Sequence, residues 1–89
     1  MALVKRLVLD ILKPHHPNVL DFSRLLAEEG ECRVKLTVLE MDDKTETLQV
    51  IVEGADIDFE RIQAAIAGIG ASLHSIDQVE VEGEPEPQV

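Results

Sequence analysis

Two runs of strict alternation, joined by a short polar turn, constrain this chain more than any other feature. Val34, Leu36 and Val38 fall on one side of the first run, and Lys35, Thr37 and Leu39 on the other. Asp42-Asp43-Lys44 interrupts, and Leu48, Val50 and Val52 then repeat the pattern up to Glu53. Strand side chains alternate between faces, so each run carries one apolar face, and two such runs across a polar turn make a β-hairpin. The rest of the chain must cover that apolar face.

The flanking segments supply the cover. Leu3–Leu12 is rich in branched apolar residues, with Leu7, Leu9 and Ile11 on one face and Val8 and Leu12 on the other beside Arg6 and Asp10. This reads as a central strand, ended by Pro14 and Pro17. Asn18–Glu29 has the helical period, through Val19, Phe22, Leu25 and Leu26. Pro17 suits its first position, and Gly30 suits the left-handed cap after its last turn. After the hairpin, Asp58 suits an N-cap and Ile57 with Ile62 a hydrophobic staple. Phe59, Ile62, Ile66 and Ile69 form a second helical stripe, which Gly70 ends. Ser72–Val81 is a fourth strand, bent near Asp77-Gln78. The order strand–helix–strand–strand–helix–strand predicts an α+β, ferredoxin-like βαββαβ fold. Its four-stranded antiparallel sheet has the order 4-1-3-2, with both helices on one face. A short echo between Leu20-Asp21-Phe22-Ser23-Arg24-Leu25 and Ile57-Asp58-Phe59-Glu60-Arg61-Ile62 hints at two related halves.

The 89 residues make one domain, residues 1–82, with a polar, acidic, proline-containing tail at 83–89 expected to be disordered. Cys32 is the sole cysteine. A lone thiol fits a reducing, cytoplasmic setting and starts neither a disulfide framework nor a zinc knuckle. Met1–Leu12 is broken by Lys5, Arg6 and Asp10 and is too short for a membrane span. The net charge of −10 is uneven: residues 1–45 carry seven basic and eight acidic side chains, and residues 46–89 carry Arg61 and ten acids. With no Trp or Tyr and two Phe, such a chain is poorly equipped for nucleic acid, which needs cations on phosphates and rings on bases. Anionic membrane surfaces are disfavoured for the same reason.

The segments Leu7-Val8-Leu9-Asp10-Ile11-Leu12-Lys13-Pro14-His15, Ile51-Val52-Glu53-Gly54 and His74-Ser75-Ile76-Asp77-Gln78-Val79 resemble those of a small, mainly archaeal family, domain of unknown function 211. The acidic hairpin at Glu40-Met41-Asp42 resembles it too, and the likeness spans about residues 3–81. The resemblance implies a ferredoxin-like fold and assembly into a homo-oligomeric ring, and it implies no activity.

Several side chains invite a chemical reading. Asp10 lies within an apolar strand, as a site carboxylate or an ordinary outward residue. His15 and His16 follow Lys13-Pro14. Adjacent histidines rarely share one metal and no nearby carboxylate orients them, so a solvated loop is favoured. His74, Ser75 and Asp77 invite a triad, but strand neighbours point to opposite faces and no nucleophile elbow is present. A structural hydrogen bond is favoured there, with a ligand site formed together with Asp10 and His15 as the sharper alternative. Glu40, Asp42 and Asp43 crowd the hairpin tip beside Glu46. Without a calcium-loop spacing they read as a solvated acidic turn, with Ca²⁺ or Mg²⁺ as the alternative. No other cofactor is expected. Cys32 is expected to be half-buried and inert.

Two helices cover one face of a sheet. The other face is expected to carry Val8, Leu12, Leu39, Met41 and Ile51 among polar neighbours, an apolar surface suited to a partner. The chain itself is that expected partner, its first half, which holds nearly all of the basic residues, meeting the acidic second half of the next copy. The favoured function is thus a non-catalytic, self-assembling domain, with a small ligand or divalent cation at subunit junctions. A regulatory domain sensing an amino-acid-type ligand is the alternative, and an enzyme using Asp10, His74 and Asp77 is the second.

Overall fold

The computed structural model describes residues 2–83; the expected disordered tail, apart from Gly83, lies outside the described residues. The elements are β1 (Leu3–Pro14), α1 (Val19–Gly30), β2 (Arg33–Met41), β3 (Thr45–Glu53), α2 (Phe59–Gly68) and β4 (Ser72–Glu82). The sheet runs β2-β3-β1-β4, all antiparallel, which is the expected order read from the opposite edge. The fold is the ferredoxin-like α+β arrangement.

One face of the sheet makes the core. Leu7, Leu9 and Ile11 of β1 stand beside Leu48, Val50 and Val52 of β3, all nearly inaccessible. Phe22 and Leu26 of α1 and Ile62 and Ile66 of α2 close over them, each pair one helical turn apart. The starts of both helices follow from capping. The Asn18 carboxamide accepts from the Asp21 amide at 2.8 Å, and the Asp58 carboxylate from the Arg61 amide at 3.2 Å. Asn18 therefore takes the cap, and Pro17 stands before it, outside the position expected for it. The echo between the two halves is out of step for the same reason: Asp21 lies inside the first turn, whereas Asp58 caps.

Two expectations about element ends need correction. β1 runs on to Pro14, opposite Thr45. β4 reaches only Ser72, opposite Leu12, so beyond that level β1 has an unpaired flank where a missing N–H is tolerated. The left-handed residue after α1 is Glu31, with φ 50°, and Gly30 is the last helical residue. Gly30 is needed for space: a Cβ there would lie 2.5 Å from Ile62 Cδ1 and 2.9 Å from Cys32 Sγ. The crossing of α1 over α2 requires it. Gly70, with φ 80°, does end the second helical segment as expected.

The edge strands are irregular. β4 pairs Val8 with Gln78 but Leu9 with Ile76, and Asp10 with Ser75 but Ile11 with Leu73. Asp77 and His74 are the extra residues of two bulges, so the expected bend is real and comes in two steps. β2 has a bulge of its own, pairing Val38 with Leu48 but Glu40 with Thr47, with Leu39 as the extra residue.

Candidate functional site

The helix-free face is built by the residues between the core positions. Arg6, Val8, Asp10 and Leu12 of β1 stand there opposite Glu53, Ile51, Gln49 and Thr47 of β3. Val8 is shielded by its neighbours, and Leu12 and Leu39 are 41% and 59% exposed. Arg6 fixes one end of the face, with 3.1 Å to Glu53 Oε1 and 2.7 Å from its Nε to Gln78 Oε1. Met41 does not belong to this face. The bulge at Leu39 shifts the register and sets Met41 opposite the inward Glu46, so it lies exposed at the end of the helix side.

At the β1–β4 border the face is hollowed. Asp10, Leu12, Thr47 and His74 line a cavity of about 210 Å³. The bulges create this grouping. They break the alternation that would have turned His74 away from its neighbour, and Ser75 sits directly opposite Asp10. His74 and Ser75 therefore do not point to opposite faces as they would on a regular strand. The triad still does not form: the Ser75 hydroxyl donates to Asp77 Oδ1 at 2.7 Å, which spends its proton on a carboxylate within its own strand. That bond is the structural role expected of Asp77. Asp10 has no hydrogen-bonding or ion-pair partner among the described side chains, so its carboxylate faces the hollow with acceptors free. A hollow with one carboxylate, one hydroxyl, one imidazole and an aliphatic wall suits a small molecule carrying a cationic or N–H donor group.

His15 lies elsewhere, in a cluster that the sequence reading missed. Lys13 and Glu46 extend the inward rows of β1 and β3 and face each other in register. Lys13 is fully buried, and its ammonium donates to Pro14 O at 2.7 Å and to Pro17 O. Its third neighbour is Glu46 Oε1 at 2.9 Å, an ion-pair contact outside good hydrogen-bond alignment. The other Glu46 oxygen lies 3.2 Å from His15 Nδ1, and His15 Nε2 lies 2.9 Å from the Asp42 carbonyl oxygen. The carboxylate that orients His15 comes from a distant strand, so the expectation of a merely solvated loop is corrected. Lys13 holds the Glu46 carboxyl below the usual range for a glutamate, and Glu46 in turn raises the pKa of His15. The signal was present in the sequence: Lys13 continues Leu9 and Ile11 at period two, and Glu46 continues Leu48 and Val50.

The hairpin tip is organised by Asp42. Its Oδ1 accepts from the Lys44 and Thr45 amides at 3.0 and 2.9 Å and from the Thr45 hydroxyl at 3.1 Å. These donors lower its pKa. A carboxylate committed to its own turn is a poor cation ligand, and Glu40 and Asp43 beside it are exposed. Among the described residues no three His, Cys, Asp or Glu side chains converge on a point that could hold a metal ion. Cys32 is half-buried as expected, its thiol 3.7 Å from Leu26 O, and burial pushes its pKa up, away from the reactive thiolate. No helix of the described residues is long and apolar enough to cross a membrane.

An uncharacterized protein of Methanocaldococcus jannaschii is 43% identical over 77 residues, covering 85% of this chain and 79% of its own length. The sequence pattern of the family described as uncharacterized ArCR matches residues 5–85. The chain belongs to that family, domain of unknown function 211.

Proposed function

We propose that this domain is a non-catalytic, cytoplasmic module that assembles with copies of itself and holds a small ligand in the Asp10–His74 hollow. The observation that carries the reading is a sheet with one uncovered face and two free edges of opposite charge. The β2 edge carries Arg33 and Lys35 against Glu40. The β4 edge carries Asp77, Glu80 and Glu82 with no lysine or arginine. Unlike edges favour a heterologous contact, basic edge to acidic edge, and such contacts close into a ring when the rotation permits. Leu12, at the rim of the hollow, and Leu39, on the β2 edge, supply apolar area for the same contact. A neighbouring copy seated there would wall the hollow and put the ligand at a subunit junction.

Two experiments test the reading. Leu12→Glu with Leu39→Glu places charges on exposed positions and leaves the core intact, so the variant should remain folded and lose assembly by light scattering. An assembly unchanged by both substitutions would refute the use of this face. A thermal-shift screen with amino acids, nucleotides and divalent cations addresses the ligand. A shift with an amino acid that vanishes in Asp10→Asn identifies the sensing reading, favoured by the unpartnered Asp10 carboxylate.

A further inference from the structure

The ring of His15 spans two chain segments that no other side-chain bond among the described residues joins: the loop after β1 and the turn between β2 and β3. Each ring nitrogen faces an oxygen. Nε2 is 2.9 Å from the Asp42 carbonyl, which can only accept, and Nδ1 is 3.2 Å from Glu46 Oε2. Glu46 is ionised by its pairing with the buried Lys13, so it too can only accept. A neutral imidazole carries one N–H and can satisfy one of these contacts. The doubly protonated ring satisfies both.

We infer that His15 is a proton-operated pin: as an imidazolium it ties the β1–α1 loop to both the β2–β3 turn and Glu46 of β3, and on losing a proton it releases one of these two. The charges around it are suited to this. Lys13 of β1 opposes its positive charge from the far side of Glu46, while the Glu46 carboxylate of β3 and the Asp42 carboxylate of the turn favour it. Asp43 and Lys44 complete the turn, and His16 and Asp21 flank the loop and the first turn of α1. Two cations and two carboxylates balance in the pinned state, and the neutral ring leaves a net negative site. For the neutral ring the Glu46 contact is the stronger hold, because its acceptor is ionised and the Asp42 carbonyl is not. The turn is therefore the segment released. Asp42 organises that turn from within, so its release loosens the hairpin tip and leaves the core in place.

Nuclear magnetic resonance of the full chain tests the inference. Long-range ¹H–¹⁵N spectra report the protonation of each ring nitrogen of His15 across pH. The His15 midpoint should lie above the ordinary histidine value, because Glu46 raises it. Each unit above that value corresponds to about a tenfold bias toward the pinned state. Heteronuclear NOE values of the Asp43, Lys44 and Thr45 amides should fall as pH rises through the His15 midpoint. In His15→Gln they should be low and independent of pH. A His15 midpoint at or below the ordinary histidine value would overturn the inference. So would turn amides equally ordered on both sides of its midpoint.

Discussion

Replacing Glu46 by glutamine keeps its shape and removes the negative charge between Lys13 and His15. The Lys13 side chain is 0% exposed, and its ammonium would keep only the Pro14 and Pro17 carbonyls. Removing one partner of a buried pair costs about 3–5 kcal/mol, because the other charge remains out of water. The two carbonyls offset part of this, so the expected loss is about 2–4 kcal/mol. Against a total of about 5–15 kcal/mol for a domain, that is a large share. At a slope of about 1 kcal/mol per molar urea, the midpoint should fall by roughly 2–4 M. The chain has no Trp or Tyr, so far-ultraviolet circular dichroism at fixed protomer concentration is the suitable probe. Lys13→Met with Glu46→Leu removes both charges and should lie within about 1 kcal/mol of the parent, or above it. A Glu46→Gln midpoint within about 0.5 M of the parent, on the same slope, would refute the claim that Lys13 depends on Glu46.

Acid should weaken the parent through the same pair: the Glu46 carboxyl is held below its ordinary value, so its contribution is present above the ordinary carboxylate range and is lost as pH falls through the lower folded value. Glu46→Gln should lack this part of the pH dependence in urea titrations. Gly30→Ala should cost about 1–3 kcal/mol despite the better helix propensity of alanine, because the new methyl meets Ile62 and Cys32. Gly68→Ala, at a helical position with nothing within 4 Å, should gain about 0.5–1 kcal/mol by the same urea measurement. Phe22→Ala, fully buried between α1 and the sheet, should cost about 3–5 kcal/mol.

The architecture was legible because it rests on period. Leu7, Leu9 and Ile11 alternate, as do Leu48, Val50 and Val52, while Phe22 with Leu26 and Ile62 with Ile66 recur at helical spacing. Each set lies in the core where its pattern placed it. What the pattern hid depends on departures from period. The bend at Asp77 was legible, but the bulges at Leu39 and His74 were not; they move Met41 to the other face and bring His74 beside Asp10, and no local residue type announces them on an edge strand. The Lys13–Glu46 pair was obscured differently. Both residues stand at inward positions, and an expectation of apolar cores ends the row at Ile11 and begins it at Leu48. Gly30 was read by its commonest use, as a left-handed cap, when its use here is close helix packing against Ile62.

The central claim is that the uncovered face and its oppositely charged edges bring copies of the chain together. Sedimentation velocity of the full chain from low to high salt tests it most directly. A species several times the 9.8 kDa protomer is expected at low salt, shifting to smaller species as salt screens the Arg33 and Lys35 edge from the Asp77, Glu80 and Glu82 edge. A single 9.8 kDa species at every salt concentration would contradict it.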